Sequence, residues 1–350
     1  MSQTAGRRRA LVFVLVIAAC VAGIAGYAAH VMNRSSAPPT ANATPALGTI
    51  AQVPADGRPF VLYRSTALGP YYGRLAAAHL DDLDHPLGAA PLSCDRVHYA
   101  GGTGLCLEAL RGAVTTYQAT LFDARFARRA TVPLAGPPSR TRVSPDGRRA
   151  GFTVFINGHG YSNPGFTTRT SIIDTARGDY IVDDLETWPV LRDGAPFKAT
   201  DFNFWGITFP RDAARFYATL STGGHTLLVE GEFEARRMRV IADGVECPSV
   251  SPDGQRIAFK RRDATATSGP PLWHVAVLDL ATGQAKVLAG ESRSVDDQIE
   301  WQDDRTLLYG MPLDAQRSAA ETDVWAIAAD GTGAARRVLP FAFSPAVVRP

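Results

Sequence analysis

The densest set of chemistry-bearing residues in this chain is His79-Leu80-Asp81-Asp82-Leu83-Asp84-His85. Two imidazoles and three carboxylates so close together could ligate a metal, but the spacing matches no zinc site. The same composition suits a solvated turn between strands. Asp296-Asp297 and Asp303-Asp304 could chelate calcium, yet they lack the alternating oxygen ligands of a calcium loop. The histidines (His30, His79, His85, His98, His159, His225, His274) show no ligand spacing. Gly101-Gly102-Thr103-Gly104 lacks the Lys-Ser/Thr ending of a phosphate loop. The sequence has no Gly-x-Ser-x-Gly elbow of a hydrolase. No catalytic residue, metal ligand or cofactor site is therefore expected. A carboxylate pair acting on glycans stays open as an alternative, because separation along the chain says nothing about separation across a ring. Cys94 and Cys106 bracket a predicted hairpin, where antiparallel neighbours can meet disulfide geometry; two unlinked buried thiols are the other reading. Cys247 has no evident partner and fits a small core residue.

What positions these residues is a repeat. Ser144-Pro145-Asp146-Gly147, Ser251-Pro252-Asp253-Gly254 and the looser Gln302-Asp303-Asp304-Arg305 each precede a short apolar strand, and a second glycine turn follows at Gly178, Gly283 or Gly333. Proline presets φ and Asp-Gly suits a tight reversal. The Asp side chain accepts backbone N–H groups within its own turn, so Asp146, Asp253 and Asp304 have a structural explanation. Short runs of Val, Ile, Leu, Phe, Tyr and Thr between Gly and Pro, with no long 3.6-residue period, predict an all-β protein. A unit of a few short strands cannot bury its own faces and must stack against copies of itself.

Division at the turns gives six units of roughly fifty residues, the size of propeller blades: Phe60 to Leu92, Arg96 to Gly136, Thr141 to Leu185, Ala199 to Asp243, Val245 to Gly290 and Gln298 to Pro340. The first is one strand short. Phe341 to Val348 can supply that strand and hide the open sheet edges. The prediction is a six-bladed β-propeller closed by its C-terminus, with Trp205, Trp273, Trp301 and Trp325 packed between blades.

Composition bounds the partners. Net charge is +2, which gives no case for nucleic acid. Arg7-Arg8-Arg9 precedes an uncharged apolar run from Ala10 to Met32, long enough for a membrane span, with the arginines on the cytoplasmic side. The expected organisation is a cytoplasmic basic segment (1–9), a transmembrane signal anchor (10–32), a flexible linker rich in Ala, Pro, Thr and Ser (33–57) and the propeller (58–350) outside the cytoplasm. A lipoprotein signal ending at Cys20 and a cleaved signal peptide are the alternatives. A compartment outside the cytoplasm permits the Cys94–Cys106 bridge.

Within a blade, the Ser-Pro-Asp-Gly turn and the second glycine turn fall on one face. The middle connection and the link to the next blade fall on the other, and several of these are long: Asn157 to Pro164, Glu186 to Phe197, Arg261 to Pro271 and Pro312 to Glu321. Insertions gathered on one face mark a binding side. Asn157, His159, Tyr161, Asn163 and Trp188, the last expected to be partly exposed, are the candidate partner-binding residues.

Val250-Ser251-Pro252-Asp253-Gly254-Gln255-Arg256-Ile257-Ala258-Phe259, followed by Val277-Leu278-Asp279-Leu280-Ala281-Thr282-Gly283, resembles the repeat of TolB-like propellers. Related blades occur in the non-catalytic propellers of prolyl oligopeptidases. The likeness is carried by the third, fifth and sixth units. It implies a membrane-anchored propeller that serves as a docking surface in the envelope, for a protein or other envelope partner not named by the sequence. The family's founding member carries an α/β domain before its propeller, and residues 33–58 are too short for one. The alternatives are an envelope hydrolase acting on glycans or peptides through carboxylates at the channel mouth, and a sensor of a small ligand.

Overall fold

The structure, a computed structural model, describes residues 12–27, 47–158, 160–162, 165–263, 265, 270–314 and 318–349. It divides into two compact units, Met1–Ala46 and Leu47–Pro350.

In the first unit, residues 12–27 form a helix with exposed side chains. At 1.5 Å per residue it is about 24 Å long, short of the roughly 30 Å hydrocarbon core. No helix among the described residues is long and apolar enough to cross a membrane. The expected span over Ala10 to Met32 extends past the described helix at both ends.

The second unit is a ring of six sheets. Blade 2 holds Arg96–Ala100, Thr103–Leu110, Thr116–Phe122 and Arg128–Leu134. Blade 3 holds Pro138–Val143, Arg149–Asn157, Thr167–Asp174 and Tyr180–Val182. Blade 5 holds Glu246–Val250, Arg256–Arg262, Trp273–Asp279 and Ala285–Val287, and blade 6 holds Glu300–Trp301, Thr306–Asp314, Ser318–Ala328 and Arg336–Leu339. In blade 1 the C-terminal strand Ala342–Val348 pairs antiparallel with Phe60–Ser65, ahead of Arg74–His79 and Gly88–Ser93. Pro345, which cannot donate to a ladder, falls at a bulge between the pairs Leu62–Ala346 and Arg64–Phe343, where Ser344 has φ 52°.

Period-2 alternation explains the stacking. In Phe60–Ser65, Phe60 and Leu62 turn toward Val97, Cys106 and Phe122 of blade 2. Val61 and Tyr63 turn toward Leu308 and Val324 of blade 6. The other interfaces repeat this: Leu105 and Leu107 meet Phe152 and Val154, Ile172 meets Phe204 and Ile207, Tyr217 meets Ile257 and Phe259, and Val275 meets Leu307 and Tyr309. Both faces of every sheet are thus covered, which no blade achieves alone.

Three expectations are corrected. Residues 47–57, assigned to the linker, lie against blades 1 and 2: Leu47 and Val53 are buried, Ile50 N donates to Ala89 O (3.0 Å) and Val53 N to Ala124 O (2.8 Å). Glu186 to Phe197 is not a bare loop. After a 3-10 turn at Leu185–Thr187, Val190–Arg192 and Ala195–Phe197 form a hairpin. It extends blade 4 (Asn203–Thr208, Arg215–Thr222, His225–Glu232, Arg237–Asp243), because Val190–Arg192 runs parallel to its outer strand. That hairpin carries Trp188 inward onto Phe216 (5.8 Å) and Phe233 (6.2 Å), leaving it 6% exposed.

Candidate functional site

The innermost strands of successive blades neighbour one another around the axis, with Ala342–Val348 completing the circle beside Glu300–Trp301 and Arg96–Ala100. Where they converge, charged side chains replace apolar ones. Arg96 Nη1 donates to Asp297 Oδ1 (2.7 Å). Arg140 Nη2 (3.0 Å) and Lys260 Nζ (2.6 Å) share Asp296 Oδ1. Arg142 Nη2 pairs with Glu300 Oε2 (3.1 Å) and donates to Ile299 O (2.7 Å). Gln298 Nε2 donates to Ile207 O (2.9 Å) and Pro248 O (3.1 Å), tying the blade 6 entry to blades 4 and 5. Lys260 also stands over the Trp273 ring (4.3 Å) and the Tyr161 ring (4.6 Å). Burial alone would raise the Asp296 carboxyl, but Lys260 and Arg140 outweigh it and bring it down to about 2. For Glu300 burial wins over Arg142, so its pKa is raised. His98 is pushed well below its usual value by burial and by Arg142.

Asp296, Asp297 and Glu300, at the entry to blade 6, are thus each held by a cation. Among the described residues no three His, Cys, Asp or Glu side chains gather for a metal. Sequence reasoning missed this network; its available signal was Arg140-x-Arg142 at strand spacing on an innermost strand. At the turn face the axis opens into a cavity of about 460 Å³ floored by His98, Arg142 and Glu300.

The turns behave as their residue types require. Asp146 Oδ1 accepts from Ser144 Oγ (2.6 Å) and Arg148 N (3.0 Å). Asp253 Oδ1 accepts from Ser251 Oγ and from Gln255 N (3.0 Å). In the looser copy the roles divide: Asp303 caps its own turn through Arg305 N and Thr306 N, while Asp304 Oδ1 reaches back to Asp253 N (2.9 Å), linking blades 5 and 6. Cys94 and Cys106 form a disulfide. Cys247 is a buried free thiol.

The candidate partner-binding residues separate. Asn157 is exposed, its side-chain amide donating to Gly165 O (3.1 Å). His159 and Asn163 lie outside the described residues. Tyr161 is 3% exposed, against expectation. Its hydroxyl lies 2.6 Å from Ser139 Oγ and its ring packs with Phe155, Phe166 and Trp205. It is an interior ring, as Trp188 is beneath its hairpin, burying a large apolar area while its hydroxyl keeps a polar neighbour.

The face itself carries another signal. The propeller's exposed large apolar side chains among the described residues are Leu68, Tyr72, Leu87, Leu110, Val114, Ile156, Tyr180, Leu272, Val287 and Leu313. Seven of these ten lie on or beside middle connections: Leu68 and Tyr72 in blade 1, Leu110 and Val114 in blade 2, Ile156 in blade 3, Leu272 in blade 5 and Leu313 in blade 6. Between blades 3 and 4 that face also holds a groove of about 870 Å³ lined by Tyr161, Phe166, Arg169, Phe202 and Asp201.

The six-bladed ring matches solved propellers in overall fold. TolB from Acinetobacter baumannii matches over 84% of this chain and 68% of its own, with TM-score 0.56 and 17% identity. The chain is TolB-like in fold. A chain of a nidogen/laminin complex matches over 83% of this chain and 97% of its own, at 10% identity and TM-score 0.51. A puromycin hydrolase S511A mutant complexed with PGG matches 85% of this chain and 47% of its own at 17% identity, with TM-score 0.43. No protein-family model and no curated protein matches the chain. These likenesses extend to the fold of the TolB-like ring and stop there.

Proposed function

We propose that this TolB-like propeller is a non-catalytic docking module of the cell envelope. On this reading it is held to the membrane by the apolar run at 10–32, stands outside the cytoplasm, and binds a protein partner on its middle-connection face. The carrying observation is the apolar crown of Leu68, Tyr72, Leu110, Val114, Ile156, Leu272 and Leu313 on that face. Apolar side chains gathered on one surface cost solvation unless something covers them, and such patches mark interaction sites. The disulfide agrees with an oxidising compartment. The pairing of every axial carboxylate with a cation supports a structural use of those groups over an acid–base pair. The alternative, an envelope hydrolase, has one observation in its favour: Glu300, with a raised pKa, lies in a cavity.

The test is proximity labelling from the propeller of the full chain in its native membrane, comparing wild type with a Leu68→Asp/Val114→Asp/Ile156→Asp variant. All three side chains are exposed, so the thermal midpoint should hold while one or more labelled partners disappear. An unchanged set of labelled proteins contradicts the reading. Removing residues 1–32 should move the protein out of the membrane fraction, and retention there contradicts the anchor.

A further inference from the structure

The axial cavity opens on the turn face, at the opposite end of the ring from the apolar crown, and the docking reading makes no use of it. All six blades build its wall: Val347 from blade 1, Gly101 from blade 2, Pro145 from blade 3, Phe209 from blade 4, Pro252 from blade 5 and Trp301 from blade 6. The turns of blades 2 and 3 meet there so closely that only glycine fits. Gly101 (φ 54°) and Gly147 (φ 70°) are both left-handed, and a Cβ on Gly101 would stand 2.4 Å from Gly147 N. The volume of about 460 Å³ falls in the range of small-molecule sites.

Its charges do not balance internally. Arg142, Arg211 and Arg349 line it, with Glu300 and Asp146 as the carboxylates. Asp146 is engaged by its own turn, and Glu300 is taken by Arg142. Arg349 donates to the backbone carbonyls of Trp301 (3.0 Å) and Gln302 and forms no direct ion pair among the described residues, though its charge reaches Glu300. The Arg211 guanidinium is exposed and has no partner among them. His98 Nδ1 accepts Val143 N–H (3.0 Å), so its proton is on Nε2, facing Glu300 Oε2 at 3.8 Å, and the ring adds a neutral donor to the floor. The cavity therefore offers at its rim one guanidinium without a partner, Arg211, and a second, Arg349, in no direct ion pair, over a floor whose carboxylate is already paired with Arg142. Its walls at Phe209, Pro145, Pro252 and Trp301 are apolar. Guanidinium forks match planar carboxylates and phosphates.

We infer that this cavity is a binding site for a small organic anion. Its carboxylate or phosphate head lies against Arg211 and Arg349, and its body lies against the proline and aromatic wall. The experiment is thermal-shift titration of the full chain with inorganic phosphate and with succinate, at constant ionic strength with chloride as reference. A saturable upward shift of the midpoint with either probe is expected, and the probe that saturates names the head group. Arg211→Gln and Arg349→Met should each weaken the apparent affinity about tenfold, a loss of about 1.4 kcal/mol. Arg261→Gln, an exposed arginine at the other end of a blade 5 strand, should titrate like wild type. Arg349→Met touches the closing strand's neighbourhood, so Arg211→Gln, which breaks no contact, decides if the former fails to fold. Shifts no larger than chloride's with both probes overturn the site. So does wild-type affinity in Arg211→Gln. The crown variant should bind the probes unchanged, which separates this site from the docking face.

Discussion

At the scale of single residues, the axis sets a pH response. His98 is buried and neutral, with Nδ1 occupied by Val143 N–H and Arg142 beside it, so its pKa in the folded state lies well below 6.5. As pH falls through about 6.5 the unfolded chain takes up a proton that the folded ring refuses. Stability from this group is therefore complete above that pH and is lost below it, by at most about 1.4 kcal/mol per pH unit. Glu300 has the opposite sign: its raised pKa favours the folded state at low pH and that advantage fades as pH rises through the folded value. Comparing wild type with His98→Gln by denaturant midpoint between pH 7.5 and 5.5 isolates the histidine. Wild type should lose stability faster than the variant on acidification; parallel curves contradict the assignment. Beyond the Arg140-x-Arg142 spacing, the pairings were not legible in the sequence, because the partners are remote. Lys260 and Asp296 are 36 residues apart, Arg140 and Asp296 156, and Arg96 and Asp297 201. Asp146 and Asp253 were legible because their hydrogen bonds stay within their own turns.

At the scale of elements, closure of the ring rests on Ala342–Val348. This strand hydrogen-bonds to Phe60–Ser65 and buries Ala342, Ala346, Val347 and Val348. Thr66 and Thr322 brace the same seam through a 3.0 Å bond from Thr66 Oγ1 to Thr322 O. Truncation after residue 340 removes that apolar burial, worth several kcal/mol at about 25 cal/mol per Å², and bares a sheet edge. The truncated chain should aggregate or lose its cooperative thermal transition; an unaltered midpoint would show that the seam is dispensable. This closure was readable from a blade that lacked one strand and a tail that supplied one. The hairpin on blade 4 carried a signal that was passed over. Asp193-Gly194 is a tight-turn dipeptide and both residues have positive φ (51° and 77°), but three-residue arms and Pro196 disguised the strands. Its neighbour Trp188 was misplaced for the same reason. Once the hairpin docks along Arg237–Asp243, the ring has nowhere to go but inward.

At the scale of the whole molecule, the six-fold stack separates two surfaces. The turn face is built from short, self-satisfied Asp turns around a cationic pit. The middle-connection face bears the apolar crown. Loop length pointed to the second face in advance, but not to the right residues on it: Tyr161 proved interior, whereas Val114 (77% exposed) and Leu68 (56%) were inconspicuous short-loop positions. A loop's length tells where the chain has freedom, while which side chain it leaves in water depends on packing across blades. The docking account is tested most directly by a photo-crosslinking amino acid placed at Val114 in the full chain in its native membrane, with a second placement at Gln255 on the turn face as the comparison. The account predicts a discrete crosslinked protein from position 114 that is absent from position 255. Equal products from both positions, or none from position 114, would contradict it.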